Sequence, residues 1–382
     1  TDGDGIGENT DDDDADGVAN AFDAFPAIAI GDLTDLDKDG APAACDESCI
    51  GSGMTADLDD DGDGWPDLLE TTYGADPAQP GIGLSFVQRG SDIDGEASGD
   101  LSGTVALNAD GNVIAVGAIN NDGGGDNAGH VRVFELVGDA RVQRGSDIDG
   151  TYAKMNLGES VSLNGKGDML AVGGPGAGES GQEKGIARVY RWDGTIWSQV
   201  GSDIVGEGAA DANGWQVELN DTGDVLAVAA KNKDVDGPVD SEGSTEVLAD
   251  AGAVRVFGLV DGQWVQRGQT INGTEASSYS GWRIAISGDG NTLGVGAPWY
   301  SGLSYRAGEV KFYSWDGSAW SQKGVSLTSA SYNARLGYVD INQDGSIVSA
   351  GAGLFDVAGE NGTKADAGIV ARARILEIVA SG

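Results

Sequence analysis

The segment Gln88-Arg-Gly-Ser-Asp-Ile-Asp-Gly95 constrains the fold more than any other feature, because it returns four times, starting at Gln143, Gln199, Gln266 and, degraded, Gln322. The starts lie 55, 56, 67 and 56 residues apart. A period of that length belongs to stacked or radial repeats, in which each unit buries its apolar face only against its neighbours. Between copies the order of pieces is constant. An alternating run (Val105-Ala-Leu107) leads to an Asp-Gly turn (Ala109-Asp-Gly-Asn112), an apolar run (Val113-Ile-Ala-Val116), a Gly-rich loop and a last run, Val131-Arg-Val-Phe134. Alternating apolar and aromatic residues broken by Asp-Gly turns predict antiparallel hairpins. Each repeat thus supplies about four strands. An interior Gly costs a helix about 1 kcal/mol relative to Ala, and 65 of the 382 residues are Gly, which argues against a helix-rich fold.

Two of these pieces resemble the FG-GAP repeats of integrin α-chain propellers and their bacterial relatives. The first is Ser102-Gly103-Thr-Val105, with Leu157-Gly158-Glu-Ser-Val161, Asn213-Gly214-Trp-Gln-Val217, Ser280-Gly281-Trp-Arg-Ile284 and Leu336-Gly337-Tyr-Val339. The second is Val116-Gly-Ala118, with Val172-Gly-Gly-Pro175, Val228-Ala-Ala230, Val295-Gly-Ala-Pro298 and Ala350-Gly-Ala352. The resemblance spans residues 85 to 377 and implies an all-β fold over residues 81–382, a five-bladed β-propeller of four-stranded antiparallel blades. In such a blade the FG-like strand is innermost and the Gln-x-Gly segment outermost. Five of each are present, but the first outer segment, Ser85 to Gly95, precedes every FG-like strand, and none follows the fifth blade. The N-terminal strand is therefore expected to complete the last blade, which closes the ring and leaves no exposed edge. The calcium loop that integrin-type blades carry between the two strands is not matched; short turns such as Gly288-Asp-Gly-Asn291 stand there. The loops that begin at Asn120 and Asp234 are a second candidate place for calcium, with a solvated loop as the first reading.

Residues 1–80 differ in kind. They carry 23 acidic residues against the single Lys38, a net of -22 within the chain's -40. Asp12, Asp14, Asp16, Val18, Asn20 and Asp23 fill positions 1, 3, 5, 7, 9 and 12 of a 12-residue loop, with Gly17 at position 6. This is the EF-hand spacing, in which a hard cation gathers six to eight oxygens, position 7 contributing its backbone carbonyl, and Gly permits the sharp turn. Asp35, Asp37, Asp39, Ala41 and Asp46 form a second copy, and Asp59, Asp61, Asp63, Trp65, Asp67 and Glu70 a third. An incomplete copy, Asp2, Asp4, Ile6 and Asp11, opens the chain. Its position 1 falls before Thr1, which implies processing there or a fragment. These loops resemble thrombospondin type 3 repeats and the calcium loops of dockerins. The resemblance implies an irregular stalk over residues 1–80 with Ca2+ as its structural cofactor. Cys45 and Cys49 read as one disulfide, which suits an oxidising, extracellular setting.

A net charge of -40 argues against nucleic acid and an anionic membrane surface as partners. No apolar run reaches the roughly 18 residues of a membrane span. One His and two Cys leave little for imidazole, thiol or zinc chemistry, and His130, which opens the Val131–Phe134 run, reads as structural. Trp192 with Trp197, Trp264, and Trp315 with Trp320 flank hairpin turns and read as cross-strand packing. Trp215, Trp282, Trp299, Tyr300 and Tyr305 stand at strand starts and long loops; these are the candidate ligand-binding residues. The expected function is non-enzymatic: a secreted calcium-binding protein, as in secreted bacterial proteins, whose propeller binds a glycan or protein in adhesion or assembly. One alternative is a filament subunit, self-associating head to tail by docking its N-terminal segment on a neighbouring propeller. The other is a propeller glycosidase or lyase, which needs paired carboxylates; Asp100, Glu159, Asp211 and Asp340 stand at repeat-equivalent positions but cannot be paired from sequence.

Overall fold

A computed structural model describes residues 88–353 apart from 179–182 and 240–243, strand pieces at 358–359, 362–363 and 372–377, and short stretches before residue 80. The chain divides into two compact units, Thr1–Gln88 and Arg89–Gly382, a little beyond the composition break at Pro80-Gly81. In the first unit the described residues include one helix, Glu47–Ser52, tied to the segment before it by a Cys45–Cys49 disulfide. Ala41, Cys49 and Met54 are buried there. No described helix is long and apolar enough to cross a membrane.

Among the described residues the second unit is all-β, with five larger antiparallel sheets in chain order and two two-stranded hairpins. Sheet I holds Ser102–Leu107, Val113–Ala118, His130–Val137 and an outer strand in two pieces, Ala140–Gln143 and Ile148–Asp149. Sheet II repeats this with Ser160–Leu163, Met169–Gly174, Ile186–Trp192, and Trp197–Gln199 with Ile204–Val205. Sheet III comprises Asn213–Leu219, Val225–Ala230, Ala253–Val260, and Gln263–Gln266 with Ile271–Asn272. Sheet IV comprises Arg283–Ile286, Thr292–Ala297, Glu309–Trp315, and Trp320–Gln322 with Leu327–Thr328. Sheet V shows Leu336–Ile341, Ile347–Ala352 and Arg372–Glu377. The longer third repeat accommodates an extra hairpin, Val235–Val239 with Thr245–Leu248. The repeated Gln-x-Gly motif is thus the break inside the outer strand: Gly145, Gly201, Gly268 and Gly324 take positive φ where the pairing is interrupted.

The core lies between the sheets. Four buried clusters occupy the four successive interfaces, for example Val131 and Val133 of sheet I with Leu157, Val161 and Leu170 of repeat two. The sheets approach closely because their backbones meet. A Cβ on Gly173 would run into the carbonyl of Gly214, and one on Gly296 into that of Gly337, so glycines of the two repeated motifs face each other across three of the interfaces, while Ala229 meets Gly281 at the interface of sheets III and IV. The hairpin turns are linked as well: Ala109 N–H donates to Gly165 O, Gly165 to Asp221, Asp221 to Gly288, and Gly288 to Gln343, at 2.7–3.1 Å.

Sheet I departs from the pattern. Val161, Val217 and Ile284 are 7%, 0% and 3% exposed, while the equivalent Val105 is 59% exposed, with Leu107 beside it at 56%. Among the described residues the expected closing strand is not seen: Arg89–Gly95 carries no strand, residues 81–87 lie outside the described residues, and sheet V shows three strands. Arg89–Gly95 nonetheless meets sheet I as the outer strands of other repeats meet the sheet after them. Arg132 Nη2 donates to Asp94 O at 2.5 Å, as Arg255 Nη2 donates to Val205 O at 2.8 Å. The segment thus has the neighbour that an outer strand has in the later repeats.

Candidate functional site

The first strands set the site. Aligned on their second-strand partners, Thr104, Ser160, Gln216, Arg283 and Tyr338 are equivalent. Two residues on, on the same face, come Ala106, Ser162, Glu218, Ala285 and Asp340. Repeats two to four carry one extra residue between the motif Gly and this register position, namely Glu159, Trp215 and Trp282; repeats one and five lack it. Just before lies a turn in which two left-handed residues flank a buried one. Lys154 and Asn156 flank Met155, Ala210 and Ala212 flank Asp211, Ser277 and Tyr279 flank Ser278, and Asn333 and Arg335 flank Ala334. Each left-handed non-Gly residue costs on the order of 1 kcal/mol or more. Burial of the middle side chain offsets it, and Tyr279 and Arg335 are turned toward the aromatic residues nearby.

Those aromatics form one cluster. Trp215 and Trp282 have ring centroids 5.0 Å apart, Trp282 and Trp299 4.4 Å, and Tyr279 meets Trp299 edge-on at 5.3 Å. Lys231 Nζ lies 3.1 Å from the Trp215 centroid and 4.5 Å from that of Trp282. A cavity of about 610 Å³ opens beside them, lined by Lys231, Glu275, Tyr279, Trp282, Trp299, Ser301, Tyr305 and Arg306 among others. Its size falls in the range typical of small-molecule sites. Tyr305 stacks on Tyr332 at 5.3 Å, and Arg335 lies 5.6 Å from the Trp299 ring. Glu275 accepts the Ser301 N–H. Three of the five sequence candidates, Trp282, Trp299 and Tyr305, therefore line the cavity, and Trp215 packs on Trp282. Tyr300 is not among the lining residues; its ring faces Lys311 Nζ at 5.9 Å. Tyr279, Lys231, Glu275 and Arg306 escape a sequence reading, because only the paired left-handed turn and the strand-end register bring them here.

A second cavity, about 430 Å³, is lined by Thr104, Glu159, Ser160, Trp215, Gln216, Glu218 and Arg283, from the first strands of four sheets. Trp215 lines this cavity and packs on Trp282 of the other. Arg283 Nη1 donates to Gln216 Oε1 at 3.1 Å, and Ser162 Oγ to Glu218 Oε2 at 3.2 Å. Burial pushes the Glu218 carboxyl up to about 7; the Asp340 charge adds to this, against the Ser162 hydrogen bond. Burial also raises Glu159, opposed by Lys231 and Arg283, and lowers Lys231, opposed by Glu159. Asp100 and Asp211 play another part. Each caps a turn, Asp100 accepting the Ala97 N–H and Asn121 Nδ2, Asp211 the N–H groups of Glu207 and Gly208.

The hairpin tryptophans stand apart from this site. Trp192 pairs with Trp197 at 5.4 Å and Trp315 with Trp320 at 5.5 Å across their turns. Trp197, Trp264 and Trp320 donate their indole N–H groups to Arg144 O, Val200 O and Arg267 O of the preceding repeat. Each is a stitch between sheets.

Of the expected calcium ligands, Asp2, Asp4, Ile6, Asp11, Asp12, Asp14, Asp16, Val18, Asn20, Asp23, Asp37, Asp39, Asp46, Asp61, Asp63, Trp65 and Glu70 lie outside the described residues. Asp35, Ala41, Asp59 and Asp67 lie within them. Of the third loop's described residues, Gly62 N–H donates to Asp59 O, Asp67 N–H to Leu58 O, and Asp60 N–H to Asp67 Oδ1 at 2.8 Å. These bonds bring Asp67, at position 9 of the loop, beside the residues that flank position 1. Elsewhere His130 is 1% exposed at the start of its strand, with Nδ1 facing carboxylates of repeat one.

No protein-family model matches the chain, and no curated protein matches it. Among solved structures the chain is similar to Kuenenia stuttgartiensis hydrazine synthase, at 12% identity and TM-score 0.44, over 77% of this chain and 66% of that one. It is also similar to the periplasmic gluconolactonase PpgL of Pseudomonas aeruginosa, at 16% identity and TM-score 0.40, over 65% and 64%. A third is the mitotic checkpoint complex, at 11% identity and TM-score 0.39, over 73% and 64%. The chain spans less than two thirds of the length of each, and likenesses of this size carry neither an activity nor a partner over to it.

Proposed function

We propose that this chain is a non-enzymatic, extracellular binding protein that holds an acidic glycan in its aromatic cavity, on a five-bladed propeller joined to a calcium-bound stalk. The observation that carries the reading is the cavity wall of Trp282, Trp299, Tyr279 and Tyr305, with Lys231, Arg306 and Glu275 set around it. Aromatic faces stack on the C–H face of a sugar ring, while the few charged groups meet its hydroxyl and acidic substituents. In a chain with 62 acidic and 22 basic residues, Lys231, Arg306 and the neighbouring Arg335 form a local concentration of positive charge. Such a patch selects negatively charged ligands against a repelling background.

Ring closure is supported by the exposed Val105 and Leu107 of sheet I and by the Arg132 contact to Asp94, which matches the contact that an outer strand makes in a later repeat. The spacing of the loops before residue 80 supports calcium, and the disulfide supports an oxidising compartment. Adhesion to an acidic surface polysaccharide or matrix follows from these parts together. A glycan array probed in calcium tests the reading, with retention of uronate-bearing or sulfated glycans that added salt weakens. Absence of any retained glycan, or equal retention by Trp282→Ala, would overturn it. Calorimetric titration with Ca2+ tests the stalk, where three or four sites are expected and a flat trace would remove them.

One observation favours a second reading. A carboxyl titrating near 7 beside the Asp340 charge has the proton affinity that a general acid needs at neutral pH. Under this reading the cavity that Glu218 lines cleaves the glycan that the aromatic cavity holds. A hydrolysis and elimination screen on the glycans retained by the array decides it, since product formation abolished by Glu218→Gln would make the chain an enzyme.

A further inference from the structure

The imidazole of His130 is 1% exposed, and its Nδ1 is buried without a hydrogen-bond partner. An unpaired polar atom in that setting loses its hydration for nothing, at about 1–3 kcal/mol. Three carboxylates stand before it. Glu96 Oε2 is 3.7 Å from Nδ1, Asp149 Oδ1 is 3.9 Å away, and ligand atoms of Glu96, His130 and Asp147 all lie within 4.8 Å of one another. Glu96 and Asp149 are roughly half exposed, so the group opens to solvent on the side away from the imidazole. Other groups also touch it: Arg132 Nη1 is 3.7 Å from Glu96 Oε1, and Gln143 Nε2 donates to Asp147 Oδ1 at 2.6 Å. Each of these leaves the second oxygen of its carboxylate for another partner.

The repeats supply the contrast. At the position of His130, sheets II to IV carry Ile186, Ala253 and Glu309, and opposite it, where sheet I has Asp149, they carry Val205, Asn272 and Thr328. Where a polar residue recurs there, it is satisfied: buried Glu309 pairs with Lys311 Nζ at 2.7 Å. Among the described residues, only repeat one combines a buried unpaired nitrogen with carboxylates at this place. The 3.7–3.9 Å separations are too long for hydrogen bonds. They lie close to the separation of about 3.4 Å expected for two ligands each about 2.1 Å from a tetrahedral ion.

We propose that Glu96, His130 and Asp147, with Asp149 beside the imidazole, form a site for one divalent first-row transition-metal ion of the Zn2+ type, bound through His130 Nδ1 and the carboxylate oxygens of Glu96 and Asp147. Imidazole nitrogen favours such ions over Ca2+, which takes oxygen ligands, so this site is chemically distinct from the acidic loops of residues 1–80. Because the chain contains a single His, the ring reports on itself. The test is 15N NMR of the full-length, His-labelled protein in excess Ca2+, titrated with Zn2+ alone, with affinity measured against a chromogenic chelator. The expected result is a shift of the Nδ1 resonance that saturates at one equivalent of Zn2+ and is absent with Ca2+. Glu96→Gln and Asp147→Asn, at solvent-facing carboxylates that leave the core intact, should each weaken Zn2+ binding at least about tenfold. An Nδ1 resonance unmoved by excess Zn2+, or unchanged affinity in both variants, would overturn the proposal.

Discussion

Two sets of tryptophans occupy the same repeats and do different work. Trp197, Trp264 and Trp320 lie on outer hairpins, and each spends its indole N–H on a carbonyl of the preceding repeat. Trp282 and Trp299, with Trp215 beside them, pack on one another and turn ring surface toward a cavity, with a lysine ammonium over two of the rings. The outer set satisfies its polar atoms by joining sheets. The inner set leaves aromatic surface and positive charge open to a ligand. A tryptophan's role is thus decided by what its N–H and its faces meet, and residue type alone does not distinguish the two.

The contrast can be broken experimentally. Trp320→Ala removes a side chain only 3% exposed, and loss of about 3–5 kcal/mol is expected, read as a lower urea midpoint in saturating calcium with glycan affinity unchanged. A shift in affinity at constant stability would reverse the assignment. Next in size is Glu218→Gln. With its pKa raised from 4.5 to about 7 in the folded protein, Glu218 keeps a proton that the unfolded chain releases above pH 4.5. Its contribution to stability is therefore whole below about pH 4.5 and declines as pH rises toward 7. The variant should match wild type at pH 4 and exceed it by up to about 3 kcal/mol at pH 8; parallel stability curves would refute the shift. Trp282→Ala should weaken glycan binding about tenfold, near 1.4 kcal/mol, with a smaller stability change than Trp320→Ala. The smallest effect belongs to Lys231→Met, where loss of the cation over the rings and of its charge should weaken binding of an acidic glycan by about 0.5–1 kcal/mol. Binding of a neutral glycan should be untouched, and equal loss for both would assign Lys231 to packing alone.

The five-fold repeat was legible because the Gln-x-Gly segment and the two glycine motifs recur in register, and the structure gives each interval one sheet. The exact place of Gln-x-Gly was not. Its Gly takes positive φ inside the outer strand, an interruption that apolar alternation on either side conceals. Trp215, Trp282 and Trp299 could be singled out from their places near strand starts and loops, yet Lys231 and Tyr279 could not. Lys231 follows a buried second strand, and Tyr279 depends on a left-handed turn that a bulky residue disfavours. Glu218 was hidden for a related reason. Its neighbours at the same level, Ala106, Ser162, Ala285 and Asp340, come from strands about 55 to 67 residues apart, and only the sheet register aligns them.

The one-residue insertions that supply Glu159, Trp215 and Trp282 have a consequence for how such a scaffold can diversify. They sit between the motif glycine, which the neighbouring backbone fixes, and the first ladder partner, which the hydrogen bonds fix. Repeats one and five form their sheets without them. Each insertion is therefore a socket whose occupant can be exchanged, or left empty, while the sheets on either side keep their registration. Ligand preference in this architecture can change one residue at a time at three addresses, leaving the load on the buried interfaces as it was.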